Sequence, residues 1–316
     1  MSHDNSLTPE EVAEILKIKR HTVYEMVKRG DLPAFRVGRK LRINPVDLDR
    51  YRQQDPPPAH ISPSVSSPTI AFRPDVEQRR DQNELIICGQ DTILDILGRQ
   101  IEIFSSPIRV LRKHVGSFAG LLSLYQGSAD IASAHLLDGD NETYNLSYAR
   151  YLLPGVPVVI IHLAYRQQGF YVAAGNPHNL TDWADLADRN IRFINREPGC
   201  GTRVLLDEKL RQLEIERHSI NGYEEFATSH LAVASAVARG AADVGLGIQK
   251  AALQVRGIDF IPLQKEPYEL LIRYEDLARP VIKQVIETIN STAFKNEVAG
   301  LGDYDLSMMG KTTQVR

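Results

Sequence analysis

Residues 53 to 68 of this 316-residue chain read Gln-Gln-Asp-Pro-Pro-Pro-Ala-His-Ile-Ser-Pro-Ser-Val-Ser-Ser-Pro. No apolar period survives there, and five prolines remove the backbone donors that a helix or sheet needs. One core cannot run across such a stretch. The chain is therefore expected to fold as a small domain at 1–53, a Pro/Ser-rich linker at 54–83 and a larger domain at 84–316. Proline-rich linkers are semi-extended, so this one is a spacer or a plain tether.

Charge divides the same way. From Lys17 to Arg42 nine basic residues stand against Glu25 and Asp31, a local +7 in a chain of net −3. By difference the remainder carries about −10. A basic module that meets double-stranded DNA and an acidic body that does not would give this pattern. Two cysteines, Cys88 and Cys200, form neither a disulfide framework nor a metal-ligand cluster, and no resident cofactor is expected. The first six residues lack the layout of a signal peptide, and no apolar run approaches the ~18 residues of a membrane span. The expectation is a cytoplasmic protein without a membrane partner.

The small domain starts with a helix whose signals are local: Thr8 as N-cap, Pro9 in the first turn, and Glu11 completing a capping box. Val12, Ile15 and Leu16 follow at helical spacing. A break at Lys17-Ile18-Lys19 leads into a second helix from Arg20 to Arg29, with Val23, Met26 and Val27 as its buried stripe. Arg20, His21, Tyr24 and Lys28 fall on the remaining surface. So tight a break between two short helices reads as helix-turn-helix, the second helix entering the major groove. Residues 32–43 then alternate around Gly38 as a β-hairpin does, and Asn44-Pro45 opens a third helix. Arg36, Arg39, Lys40 and Arg42 of the hairpin would lie along the phosphate backbone, giving salt-sensitive affinity, while Arg20, His21 and Tyr24 would discriminate sequence. Tyr24 also fits a half-packed position and His21 a solvated one.

The skeleton Thr22-Val23-Tyr24, Gly30, Leu32-Pro33-Ala34, Arg36-Val37-Gly38, Arg42-Ile43 and Asp47-Leu48 resembles the excisionase-type branch of the MerR-like winged helix-turn-helix domains. Lys19 departs from that family's usual Ser N-cap, a local loss of about 1 kcal/mol.

From Glu84 onward strand and helix alternate: Leu85–Cys88, a helix through Ile93 to Leu97, Ile108–Val115, a helix from Phe118 to Gln126, then Ile131–Ala134. Such βαβ succession implies an α/β body with a mostly parallel sheet and helices on both faces. A weak internal repeat relates Ser117 through Gly127-Ser128-Ala129-Asp130-Ile131 to Ser229 through Gly240-Ala241-Ala242-Asp243-Val244. Two similar lobes would place a ligand between them, where strand ends and helix starts face one another. The segment Phe193 to Asp207 supplies a strand, a glycine-punctuated turn and a helix opening at Thr202. The first N–H groups of such a helix and its dipole favour negative charge, and Arg196 and Arg203 bracket the turn. That suits a small anion.

Several further segments carry a second resemblance: Gly89-Gln90-Asp91, Val115-Gly116-Ser117, Arg166-Gln167-Gln168-Gly169, Asn195-Arg196 to Arg203, Gly222-Tyr223 and Ala242 to Gly247. The body is similar to type II periplasmic-binding-protein-like domains fused to helix-turn-helix domains. Its Val-Gly-Ser and Gly-Thr-Arg turns look like those of molybdate- and tungstate-binding members. The resemblance implies a two-lobed α/β body and nominates Asp91, Thr92, Ser117, Arg196, Cys200, Gly201, Thr202, Arg203 and Tyr223 as ligand-binding residues. A carboxylate at Asp91 would repel an oxyanion dianion unless Arg203 or Arg196 neutralises it. Other roles remain open for the same side chains. Thr202 and Ser117 also fit as simple caps, Arg203 as a partner of Asp207 one turn on, and Tyr223 as a cover over the cleft. His135 and His230 fit ligand donors or buried histidines. Cys200, at a helix start that would favour its thiolate, has no histidine base beside it in sequence.

A ligand-responsive transcriptional regulator, working as a homodimer, is the leading expectation, with molybdate or tungstate as the favoured ligand and no enzymatic activity. A molybdenum-cofactor enzyme or maturation factor is the alternative, but Cys200, His135, His230 and Asp91 form no recognisable catalytic set. An excisionase-like DNA accessory protein is a third.

Overall fold

A computed structural model describes residues 6–29, 32–37, 40–53, 83–104 and 107–315. The chain divides into two compact units, one within residues 1–76 and one within 77–316. The expected linker, apart from Asn83, lies outside the described residues.

In the first unit, α1 (Pro9–Leu16), α2 (Arg20–Arg29), the antiparallel pair β1 (Phe35–Val37) and β2 (Lys40–Arg42), and α3 (Pro45–Gln53) follow in order. Thr8 and Glu11 make the reciprocal capping box that the sequence signals. Lys17 ends α1 in a left-handed conformation at φ 54°, which sets the turn before α2. Val12, Val23, Met26, Leu32, Ile43 and Leu48 close the core, each worth about 1.5–3 kcal/mol of burial.

The larger unit begins with β3 (Glu84–Cys88), α4 (Thr92–Phe104), β4 (Arg109–Lys113), α5 (Ser117–Tyr125) and β5 (Ile131–Ala134). A small pair β6 (Leu137–Asp138) and β7 (Thr143–Tyr144) precedes α6 (Leu146–Leu152) and the sixteen-residue β8 (Val158–Ala173). Next come β9 (Phe193–Arg196), α7 (Gly201–Gln212), β10 (Phe226–Ala227), α8 (His230–Ala238), β11 (Val244–Ile248) and α9 (Gln249–Ala252). A second sixteen-residue strand, β12 (Ile258–Arg273), leads to α10 (Pro280–Asn290), α11 (Thr292–Ala299) and β13 (Thr312–Val315).

The main sheet runs β10-β9-β11-β8-β12-β5-β3-β4, with β13 also on β8. Its outer strands pair in parallel, as expected, but β8 and β12 pair antiparallel with each other and with their neighbours. The sheet is therefore mixed rather than mostly parallel. The reason is that β8 and β12 each traverse the whole unit instead of returning through a helix. One end of each lies among Leu85, Ile161 and Leu270, the other among Phe170, Val172 and Leu246, so two cores grow on one sheet.

The repeat read from sequence has a structural counterpart. Gly127 and Gly240 end α5 and α8 at the same φ of +70°, where a side chain is strained. The Asp130 carboxylate then accepts from Ile86 N–H at 2.8 Å, and Asp243 accepts from Arg192 N–H at 2.8 Å. Each lobe thus aims two helix starts at the middle of β8 and β12: α4 and α5 from one, α7 and α8 from the other.

Candidate functional site

Arg166 and Glu266 stand directly opposite each other where β8 and β12 cross between the lobes. Both are buried. Arg166 Nε donates to Glu266 Oε1 at 3.1 Å, Nη2 donates to the same oxygen, and Nη1 donates to Asp91 Oδ2 at 2.6 Å. The guanidinium lies 3.9 Å over the Tyr268 ring. Glu266 also accepts from Gln168 Nε2 at 3.0 Å and from His135 Nδ1 at 2.8 Å. Asp91 caps α4 through Ile93 N–H at 2.9 Å and accepts from Tyr304 Oη at 2.7 Å. Buried ions cost several kcal/mol each unless fully partnered, and these are. Against the pull of burial, Glu266 and Asp91 hold the Arg166 guanidinium above its ordinary value.

Arg196, at the end of β9, is buried to 1% exposure but less completely partnered. Nε donates to Glu197 Oε2 at 2.8 Å, and Nη2 donates to Glu197 Oε1 at 2.9 Å and to Gln90 Oε1 at 2.6 Å. Its Nη1 meets no hydrogen-bonding partner among the described residues, nor does His230 Nδ1. Burial, with Arg196 and Arg166 nearby, pushes His230 well below its ordinary value; burial also lowers His135. Both rings are therefore neutral at pH 7, with His135 the Nδ1–H tautomer that Glu266 selects.

The lobes touch in front of this floor. Phe118 N–H donates to Gly199 O at 3.1 Å, and Gln90 Nε2 reaches Glu197 Oε1 at 3.3 Å. A side chain at Gly116 would start 3.0 Å from the Cys200 backbone, so the two turns would have to part by a few tenths of an ångström to admit one. Behind the contact lies an inner cavity of about 20 Å³, lined by Asp91, Ser117, His135, Arg166, Arg196, Cys200 and His230. It holds roughly one water. Outside it opens a chamber of about 610 Å³, bordered by Thr92, His114, Glu197, Leu231 and Lys250 and sharing Gln90, Asp91 and His230 with the inner cavity.

The structure thus brings Asp91, Thr92, Ser117, Arg196 and Cys200 to the cleft. Gly201, Thr202, Arg203 and Tyr223 line neither cavity. Gly201 packs on the His135 ring, and Thr202 Oγ1 accepts from Gln168 Nε2 at 3.0 Å. Arg203 stacks on Tyr223 at 4.0 Å, lies 3.7 Å from Asp207, and donates to Arg196 O at 3.2 Å. Tyr223 in turn donates to Asp207. Arg203 thus braces the strand that carries Arg196, and the neutraliser of Asp91 is Arg166, neither of the two arginines expected. Burial raises the Cys200 thiol above its ordinary value against the pull of Arg196, which corrects the expected thiolate. Sequence reading missed Arg166, Glu266, Gln90 and Glu197 as site residues. A charge after the long apolar run Val158–Tyr165 is the available signal for Arg166; Glu266, flanked by Lys265 and Pro267, has no such signal.

In the small unit, Arg20, His21 and Tyr24 are exposed on α2. Arg20 Nη2 donates to Tyr24 Oη at 3.2 Å and Nε lies 2.7 Å from Glu10, so these side chains form one surface group. Lys40 is exposed, while Arg42 Nη1 donates to Ser6 O at 3.3 Å. Arg39 lies outside the described residues, as do the side chains of Lys28 and Arg36. No helix of the described residues is long and apolar enough to cross a membrane.

Comparison with known proteins agrees with this geometry. A PBP superfamily domain model matches residues 99–290 and a helix-turn-helix domain model matches residues 6–56. An uncharacterised protein of Bacillus subtilis, YvgK, is 39% identical over 313 residues, 98% of each chain. Two solved structures share the fold of the body: a phosphate ABC transporter substrate-binding protein with bound phosphate from Clostridium perfringens, and the tungstate ABC transporter protein from Geobacter sulfurreducens. The first is 15% identical with TM-score 0.54, covering 71% of this chain and 99% of its own. The second is 13% identical with TM-score 0.51, covering 69% and 99%.

Proposed function

The chain belongs to the PBP superfamily and carries a helix-turn-helix domain, and we propose that it is a cytoplasmic transcriptional regulator whose DNA affinity depends on a small anion held between the lobes of its body. The carrying observation is Arg196: a buried guanidinium with one nitrogen unpartnered, on a cavity shared with Ser117 and His230. A buried, unsatisfied cationic donor is costly, and an anion would satisfy it. The starts of α4, α5, α7 and α8 add dipoles of the favourable sign. Molybdate and tungstate lead among ligands, because the cleft is lined by hydroxyl, guanidinium and helix-start groups that suit a tetrahedral oxyanion. Admission requires the contact between Phe118 and Gly199 to open, since the inner cavity has room for only about one water. A homodimer is proposed because one short reader buries too little surface to hold an operator tightly.

The test is to select a binding sequence for the full chain from random DNA, then measure affinity with and without molybdate or tungstate. Coupling of about 5–150-fold in Kd is expected. Identical affinities with and without every oxyanion tried would overturn the proposal.

A further inference from the structure

Among the described residues, Glu197 is the cleft carboxylate whose partners are those an anion would want. Asp91 and Glu266 are committed to Arg166, which never faces the outer chamber. Glu197 instead takes the Nε and Nη2 edge of Arg196 side-on, the bidentate geometry with which guanidinium grips an external carboxylate or oxyanion. It is 18% exposed in its side chain and borders the outer chamber, so it has somewhere to go. Gln90 reaches across from the other lobe and clamps both partners, accepting from Arg196 and donating to Glu197.

The fixed charges sharpen the point. Two ion-pair groups meet at the inner cavity, Arg166 with Asp91 and Glu266, and Arg196 with Glu197. His135 and His230, which line the same cavity, are buried rather than solvated. An anion that arrives while Glu197 keeps its place meets a carboxylate already paired with the guanidinium it seeks.

We infer that Glu197 is a built-in competitor for the anion: its carboxylate holds Nε and Nη2 of Arg196, so an anion at the unpartnered Nη1 gains a second nitrogen only when Glu197 leaves, and the carboxylate sets how much charge the cleft accepts. This rests on the anion-receptor reading above and adds to it a residue that selects by charge. Because like-charge repulsion grows with ligand charge, removing the carboxylate favours a dianion more than a monoanion of equal size and shape.

Tungstate and perrhenate are such a pair, both tetrahedral oxyanions, one doubly and one singly charged. The experiment measures the Kd of each for the full chain by calorimetry, in the wild type and in Glu197→Gln and Glu197→Ala, with urea unfolding to verify that each variant is folded. The expected result is tungstate binding at least tenfold tighter in both variants, with a smaller gain for perrhenate. Unchanged or weaker tungstate binding, or equal gains for the two anions, overturns the inference while leaving the anion-receptor reading in place. Failure of wild type and folded variants alike to bind either anion overturns both.

Discussion

The turns that open α4 and α7 hold equivalent places in the two lobes, yet they carry opposite charges with different fates. At the first turn, Asp91 is met by Arg166, Tyr304 and its own helix, and every partner is internal. At the second, Arg196 has one nitrogen without a partner and two held by a carboxylate that can leave. The complete set fastens the crossing of β8 and β12. The incomplete set is where a ligand is expected. Degree of satisfaction, more than charge itself, separates a structural ion from a binding one.

The largest expected effect breaks the complete set. Arg166→Met strands Asp91 and Glu266 in the interior and should cost about 3–5 kcal/mol in urea unfolding of the body. A loss under 1 kcal/mol would mean that the network does not hold the crossing. Arg196→Met should cost less, about 1.5–3 kcal/mol, because Glu197 can turn to solvent. Its tungstate affinity should nevertheless fall at least tenfold by calorimetry.

A pH series probes the neutral histidines beside both arginines. His230 is pushed well below its ordinary 6.5 by burial, Arg196 and Arg166, and His135 is lowered by burial. Both therefore bind a proton less readily folded than unfolded, His230 far less so. Their stabilising effect is full above about pH 6.5 and is lost as the pH falls below it, by up to about 1.4 kcal/mol per unit for each ring. His230→Gln should flatten the slope of unfolding free energy between pH 6.5 and 5; an unchanged slope would show that His230 titrates normally.

Smaller effects belong to the DNA-binding unit, where the determinants are local. Thr8→Ala removes one half of the capping box and should cost about 1 kcal/mol, read as faster hydrogen exchange across α1 in the full chain. Lys40→Ala should lower the salt slope of DNA binding by about 0.9 if the exposed ammonium meets one phosphate. An unchanged slope would remove Lys40 from the interface.

These scales also explain what could be read without coordinates. Thr8, Pro9 and Glu11 sit within one turn, so α1 was legible, as was the break at Lys17 that precedes α2. The Gly-Xaa-Ala-Asp endings of α5 and α8 were legible as a repeat because each is a contiguous run. Arg166 and Glu266 are 100 residues apart, and no local pattern pairs them; only the register of β8 with β12 does. The same lack of long-range information made Arg203 look equal to Arg196. Both flank one glycine turn, but the helical phase of α7 carries Arg203 onto Tyr223 and Asp207. The Arg166-Gln167-Gln168 break within the long run of β8 carries no sign of its partner strand, so the antiparallel crossing with β12 is not legible in it.

The most direct measurement of the central claim is anomalous scattering from crystals of the full chain grown with tungstate. The account predicts one strong peak within hydrogen-bonding reach of Arg196 Nη1 and Ser117, with Glu197 turned away from the guanidinium. A peak elsewhere with the Arg196–Glu197 pair intact, or no peak in the cleft at saturating tungstate, would contradict it.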